Sequence, residues 1–223
     1  VLTPVETYDS VLIVPVGEWV IEAACRQLVA WREAGVRVVP VAINLSARQF
    51  REKNLAEVVE RILRDHKVDP RLLEIEITES SLMANTDEAV RTLGHLKSLG
   101  LRLSVDDFGT GYSSLAYLKR FPLDSLKIDR SFVNDVTTSV DDANITRAII
   151  GMSRNLGLKV IAEGVETEAQ LAFLLAAGCG EMQGYYFSRP LPAVETQQWL
   201  RENRQLPGRV IVVTADKPRK QRR

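Results

Sequence analysis

Hydrophobic residues follow two alternating patterns along this chain. Short runs rich in Val, Ile and Leu indicate strands buried on both faces, as in a parallel sheet covered by helices. We predict strands near 36–44, 72–79, 102–108, 125–130, 159–165 and 181–187. Other segments have apolar residues at helical spacing. We predict helices near 17–34, 54–66, 86–98, 141–156, 167–177 and 193–203. Strands and helices that alternate in this way predict an α/β fold with right-handed crossovers and a parallel sheet.

Four of the predicted helices end at a glycine that leads directly into an apolar run. These glycines are Gly35, Gly100, Gly157 and Gly178. A glycine just past a helix end adopts the left-handed conformation that turns the chain back. The repeating unit is therefore helix, glycine, strand. At the start of one helix, Asn54 and Glu57 have the spacing of a capping box.

Acidic residues stand at the ends of several predicted strands. They are Glu76, Glu79, Asp106, Asp107 and Glu163. In a closed parallel barrel, the carboxyl ends of the strands form the rim on which active sites are built. Carboxylates gathered there repel one another unless a hard divalent cation neutralises them. Any single acid could instead cap the helix that follows it. The whole set, with an adjacent aspartate pair, favours a metal-dependent hydrolase.

The composition narrows the classes of function. The 223-residue chain is 45% hydrophobic and has 29 basic and 29 acidic residues. This balance provides no overall field to attract DNA or an anionic membrane. No apolar run approaches the roughly 20 residues that span a bilayer, and nothing at the start resembles a signal peptide. We therefore expect a cytoplasmic protein without a membrane segment.

Few cysteines and histidines are available for chemistry. Cys25 and Cys179 lack a metal-binding spacing and are predicted to be small core residues. His66 and His95 both fall in predicted helices. A catalytic triad or a histidine-rich zinc site needs imidazoles near the acidic residues. An oxygen-only Mg²⁺ or Mn²⁺ site needs none.

Six sequence motifs occur one after another along the chain. They are INLSARQF (43–50), EITES (76–80), SVDDFGTGYSSL (104–115), LKIDRSFV (126–133), VIAEGVET (160–167) and QGYYFSRPL (183–191). Together they resemble the EAL family of cyclic-di-GMP phosphodiesterases, over about residues 12–200. The resemblance implies a TIM-like (β/α)8 barrel that hydrolyses cyclic-di-GMP to pGpG with two Mg²⁺ or Mn²⁺ ions. It also implies a homodimer formed through the loop at 108–114.

The resemblance further implies roles for individual residues. The family's metal ligands match Asn44, Glu76, Asp106, Asp107 and Glu163. Lys127 matches the lysine that orients or activates the attacking water, and Glu163 is assigned to catalysis as well. Gln183 matches a substrate contact, and Glu79 matches the anchor of the 108–114 loop.

Some of these residues also have plain structural interpretations. Asn44 could be a strand-end turn or cap residue, and Lys127 could form a buried structural ion pair. Tyr185 and Phe187 could stack on guanine, but we interpret them as core aromatics.

The motif that names the family is absent. In family members a Glu-Ala-Leu motif lies on an early strand, in an E-x-L-x-R string that contacts metal and substrate phosphate. No such string precedes Asn44. We therefore expect a domain at 1–204 whose barrel is incomplete at the N-terminus. A C-terminal extension with a basic tail is expected at 205–223, with an edge strand or a solvated segment at 210–214. Because even outer-shell changes weaken metal binding 10–100-fold, loss of the EAL glutamate predicts weak or no hydrolysis.

Three functional hypotheses follow. The chain could be part of an active phosphodiesterase whose upstream strands were lost, with a sensory or GGDEF domain further upstream. It could be an inactive EAL domain that binds cyclic-di-GMP or a protein partner. It could also be an enolase-like barrel that acts on a carboxylic acid, which the Asp106–Asp107 pair and the following glycine-rich loop disfavour. The otherwise intact ligand set from Asn44 to Glu163 favours the first hypothesis over the second.

Overall fold

The computed structural model describes residues 4–111 and 115–202. Its six strands are β1 (Val41–Leu45), β2 (Leu73–Thr78), β3 (Arg102–Phe108), β4 (Ser125–Ile128), β5 (Lys159–Glu163) and β6 (Glu181–Gln183). Its helices are α1 (Pro4–Glu33), α2 (Ala47–Phe50), α3 (Leu55–His66), α4 (Glu79–Met83), α5 (Thr86–Ser98), α6 (Leu115–Leu118), α7 (Arg130–Asn134), α8 (Val140–Asn155), α9 (Glu168–Ala176) and α10 (Ala193–Arg201). A short 3₁₀ helix at Pro70–Leu72 precedes β2.

The strands form one parallel sheet in the order β1-β2-β3-β4-β5-β6. The sheet curls into a half-barrel accompanied by helices. Within the described residues, β1 pairs only with β2 and β6 only with β5, so both are edge strands. The prediction of a TIM-like but incomplete barrel is therefore confirmed.

Alternation along the strands separates an apolar face from a polar one. In β2, Leu73, Ile75 and Ile77 are fully buried and belong to the hydrophobic core. Glu76, which alternates with them, points to the opposite, inner face of the half-barrel. Its neighbour in register on β3 is Ser104. Around Glu76 the inner face is thus lined by polar side chains, while the apolar face packs beneath the helices.

The predicted glycine helix ends are confirmed. Gly35, Gly100, Gly157 and Gly178 all have positive φ angles, between 68° and 93°. A residue with a Cβ atom adopts this conformation at a cost, which explains why glycine occupies the same place in each repeating unit.

The predicted capping box at Asn54 and Glu57 is wrong. Asn54 begins α3 with φ −100° and ψ 15°, and its side chain makes no capping hydrogen bond. A capping residue needs an extended backbone to aim its side chain at the first turn. The extended residues Ser46 and Thr167 form capping boxes at α2 and α9 instead.

Element boundaries differ from the predictions where local turns intervene. Helix α1 begins at Pro4 rather than near 17, and β1 begins at Val41 rather than 36. Strand β6 ends at Gln183 rather than 187, because the Phe187 N–H donates to the Gly184 carbonyl in a turn. The helices α2, α4, α6 and α7 have only four or five residues, too few to produce a visible period.

Several smaller predictions can be compared with the described residues. Cys25 and Cys179 are buried, unpaired core residues, as predicted. Across 4–111 and 115–202, no helix combines the length and apolar character needed to cross a bilayer. The predicted extension at 205–223, with its segment at 210–214, lies outside the described residues.

Candidate metal centre

Four of the predicted site residues meet on the inner face of the half-barrel. The Lys127 ammonium lies 2.8 Å from Glu76 Oε1, 3.4 Å from Asp106 Oδ1 and 2.5 Å from Glu163 Oε1. These residues come from β2, β3, β4 and β5. The side chains of Lys127, Glu76 and Asp106 are at most 2% exposed. One cation therefore faces three carboxylates inside the protein.

The aspartate pair reaches this cluster through an irregularity in β3. The register between β3 and β4 shifts between Val105 and Phe108, and Asp107 has a φ of 55°. Regular alternation would send two adjacent side chains to opposite faces. Aspartate tolerates the left-handed conformation better than most residues. As a result, Asp106, Asp107 and Glu163 offer oxygens that all lie within 4.8 Å of one another.

Burial and repulsion perturb the pKa values of the cluster. Burial raises the pKa of Glu76 above its ordinary value, although Lys127 opposes this shift. Burial, aided by the charges of Asp106 and Glu76, raises the pKa of Glu163 to about 7. Burial alone would lower the pKa of Lys127, but its three carboxylate neighbours outweigh that effect and raise it. We infer that Lys127 stays charged and that Glu163 takes up a proton as the pH falls through about 7.

Unpartnered acceptor oxygens give an independent test of whether the site suits a cation. Glu76 Oε2 and Gln183 Oε1 are buried and have no hydrogen-bond partner among the described residues. Leaving such oxygens unsatisfied is costly. Oxygen-only ligand sets are the kind that Mg²⁺ and Mn²⁺ prefer. The residues present therefore fit a hard divalent cation.

Gln183 joins the cluster from the last strand. Its side-chain amide donates to Glu163 Oε1 over 2.6 Å. The chain after β6 is held closely against the chain after β5, because Val165 N–H donates to the Gln183 carbonyl and Tyr186 N–H donates to the Val165 carbonyl. A Cβ atom at Gly184 would overlap the Val165 backbone. Glycine at this position thus lets Gln183 approach Glu163.

The aromatic residues after Gln183 differ from the prediction. Tyr185 is 50% exposed, and the Arg189 guanidinium lies 4.9 Å from the centre of its ring. Tyr185 is therefore not a core residue, because the turn at Gly184 ends the strand that would have buried it. Phe187 is partly buried and packs against the hydrophobic core, as predicted.

Glu79 contacts the predicted loop rather than the acidic cluster. It is buried at the start of α4, and its Oε2 accepts a hydrogen bond of 2.8 Å from Gly109 N–H. A Cβ atom at Gly111 would lie only 2.9 Å from Glu79 Oε1. The loop residues 112–114 lie outside the described ranges.

Asn44 and Glu76 are placed less centrally than the other predicted ligands. Asn44 is exposed near the end of the edge strand β1 and is in register with Glu76. Glu76 contacts Lys127 and does not belong to the group of three acids whose oxygens lie within 4.8 Å of one another. Ser104, which is fully buried on the same inner face, was not among the predicted site residues. Its signal was a serine two residues before Asp106 in an apolar strand.

The sequence of this chain is similar to those of known proteins. The sequence model described as the EAL domain matches residues 8–190. The signaling protein YkoW of Bacillus subtilis is 47% identical over 194 residues, which are 87% of this chain and 24% of that protein. The bifunctional diguanylate cyclase/cyclic di-GMP phosphodiesterase MucR of Pseudomonas aeruginosa is 48% identical over 182 residues, 82% of this chain and 27% of that protein. This chain therefore spans about a quarter of the length of these relatives.

The half-barrel is also similar to a solved structure. The PaMucR phosphodiesterase in complex with c-di-GMP has a TM-score of 0.80 and 47% sequence identity to this chain. The match covers 83% of this chain and 75% of that one. The likeness thus extends over most of the fold described above.

Proposed function

Because the chain belongs to the EAL domain family, we propose that it binds cyclic-di-GMP with divalent cations and hydrolyses it to pGpG. The observation that carries this proposal is the group formed by Asp106, Asp107 and Glu163, whose oxygens lie within 4.8 Å of one another. The buried ammonium of Lys127 lies beside them. This arrangement matches the demands of phosphodiester hydrolysis, which needs charge neutralisation and an activated water.

The proposed ligands of Mg²⁺ or Mn²⁺ are oxygen donors on the inner face of the half-barrel. They are Asn44, Glu76, Asp106, Asp107 and Glu163. When two divalent cations are bound, they activate a water and stabilise the attacking and leaving oxygens of an in-line displacement. The cluster's own contribution is to fix the donor oxygens and to exclude other counterions. Its burial strengthens every electrostatic interaction within it.

Other residues are proposed to act on the water and the substrate. Lys127 keeps its proton, because three carboxylates surround it, and its ammonium can orient a water or a phosphate oxygen by donating hydrogen bonds. Gln183 donates to Glu163, and its side-chain oxygen Oε1, which has no partner among the described residues, can accept a hydrogen bond from the substrate. Glu79 is proposed to anchor the 108–114 loop through Gly109.

Binding without hydrolysis is the second candidate function. It is favoured by the position of Asn44, which is exposed and lies outside the three-acid group. A homodimer through the loop at 108–114, and a sensory or GGDEF domain in a longer protein, remain proposals from the family. The EAL relatives argue against an enolase-like barrel.

Product analysis separates the two candidate functions. We expect cyclic-di-GMP incubated with the protein and Mn²⁺ to yield pGpG at a low rate, detected by mass spectrometry, and EDTA to stop the reaction. Calorimetric binding of cyclic-di-GMP without product would establish the second function instead. If the protein neither bound cyclic-di-GMP nor formed product, the proposal would be wrong.

Metal affinity should depend on pH through Glu163. The raised pKa of about 7 means that the metal-free cluster holds a proton below pH 7, which a bound cation must displace. We expect the Mn²⁺ association constant to fall by about tenfold per pH unit below pH 7 and to level off above it. Calorimetry between pH 6 and pH 8 measures this dependence. An affinity independent of pH in the wild-type chain would contradict the assignment.

A further inference from the structure

Beneath the acidic cluster, three neighbouring strands place polar side chains on the inner face at one level. Ser104 on β3 is in register with Glu76 on β2 and with Ser125 on β4. Neighbouring strands lie about 4.8 Å apart, so Ser104 lies between these two residues. We call Glu74, Glu76, Ser104 and Ser125 the floor of the half-barrel.

Two polar atoms of the floor are buried without a partner. Ser104 is 0% exposed and Glu76 is 1% exposed. Ser104 Oγ and Glu76 Oε2 have no hydrogen-bond partner among the described residues. An unsatisfied buried hydroxyl or carboxylate oxygen costs about 1–3 kcal/mol, and such groups are usually satisfied by protein or by ordered water. A donor and an acceptor in register on adjacent strands are therefore natural partners.

The curvature of the half-barrel brings the floor side chains close together. Ser125 Oγ donates to Glu74 Oε1 over 2.9 Å, and this bond joins β4 to β2 across β3. Ser104 lies on the strand that this bond crosses. A single molecule on the inner side of Ser104 would thus have polar groups on both sides, as a buried water requires.

We propose that Ser104 is a positioning residue that holds one buried water, and that this water donates a hydrogen bond to Glu76 Oε2. Lys127 already holds the other oxygen of this carboxylate, since its Nζ lies 2.8 Å from Glu76 Oε1. A hydrogen bond on each oxygen fixes the plane of the carboxylate. Glu76 then presents its remaining lone pairs to a cation in one orientation. This inference rests on the proposed metal-binding function and adds an outer-shell group to it.

The test compares two buried hydroxyls that lack partners. Ser104→Ala removes the floor hydroxyl. Thr146→Val is the matched control, because Thr146 Oγ1 is also buried and unpartnered but belongs to α8. We expect Ser104→Ala to weaken Mn²⁺ binding 10–100-fold by calorimetry, the range found for outer-shell partners. Thr146→Val should leave Mn²⁺ affinity unchanged.

Two results would contradict the proposed role of Ser104. If Ser104 is only an unsatisfied hydroxyl, Ser104→Ala will raise the urea midpoint of the metal-free protein and leave Mn²⁺ affinity unchanged. That result would overturn the proposal while leaving the metal site intact. A crystal structure of the metal-free protein supplies a readout that does not depend on metal. It should contain a water within hydrogen-bonding distance of both Ser104 Oγ and Glu76 Oε2, and its absence would also overturn the proposal. Wild-type protein that shows this water but fails to bind Mn²⁺ would instead contradict the proposed function.

Discussion

Replacing Lys127 with Met is expected to lower the free energy of unfolding of the metal-free protein by about 3–5 kcal/mol near pH 8. The ammonium is the shared counterion of Glu76, Asp106 and Glu163, at distances of 2.8, 3.4 and 2.5 Å. Removing one partner of a buried ion pair leaves charge that neither water nor protein compensates. Here a single substitution removes the partner of three carboxylates.

The loss should depend on pH in a defined direction. Lys127 lowers the pKa values of Glu76 and Glu163, so without it both values rise further in the folded state. An acid whose pKa is higher in the folded state than in the unfolded state destabilises the fold as pH rises through that interval. The variant should therefore approach wild-type stability near pH 5, where the carboxylates bind protons. Urea unfolding at pH 5 and pH 8, with EDTA present, measures both values.

Lys159→Met supplies the matched control. Lys159 lies at the start of β5, and its ion pair with Glu181 is largely exposed, at 62% for the lysine side chain. Exposed ion pairs contribute about 0–1 kcal/mol, so this variant should remain close to wild type. If both variants lost the same free energy of unfolding, the buried ion pairs of Lys127 would contribute no more than an exposed ion pair.

Mn²⁺ should partly rescue the Lys127 variant. A divalent cation bound to the same acids replaces the missing positive charge. A ligand that binds only the folded state at 100 times its Kd adds about 2.7 kcal/mol of stability. If Mn²⁺ failed to stabilise the variant, the acids paired with Lys127 would not be the ligands of the metal ion.

The sequence predicted the repeating units because their signals are local. Runs of β-branched residues and glycines just past helix ends act within a few residues, and the strands β1 to β5 and the four glycine turns follow from them. The sequential strand order agrees with the tendency of consecutive strands to lie side by side in a sheet. The short helices were missed because one turn of helix has no period to detect.

The geometry of the site was less accessible from the sequence. The pair Asp106 and Asp107 predicted an acidic site, but alternation predicts opposite faces, and only the left-handed backbone of Asp107 explains how both reach it. The contact of Lys127 with acids on β2, β3 and β5 depends on the curvature of the sheet. Curvature arises from packing over the whole domain, which no local pattern encodes. Ser104 was missed for the same reason, since its role depends on neighbours in register.

Asp106→Asn is expected to abolish measurable Mn²⁺ binding, a loss of more than about 100-fold, given that even outer-shell changes cost 10–100-fold. Asp106 is 1% exposed and belongs to the three-acid group that best fits a cation. Asparagine keeps nearly the same shape. Its side-chain oxygen can still accept the hydrogen bond from Asp107 N–H, which is 3.0 Å long in the wild-type chain. The substitution therefore changes charge while conserving the local fold.

Stability measurements distinguish loss of the ligand from loss of the fold. Asp106→Asn removes one of three carboxylates around Lys127, so repulsion within the metal-free cluster decreases. Its urea midpoint with EDTA should equal or exceed that of wild type, while Mn²⁺ no longer raises it. Glu33→Gln, on the exposed end of α1, is the control and should retain full Mn²⁺ binding. If both variants lost Mn²⁺ binding equally, the cation would be held by overall charge rather than by this cluster. If Asp106→Asn still bound Mn²⁺ tightly, the three-acid group would not be the metal site.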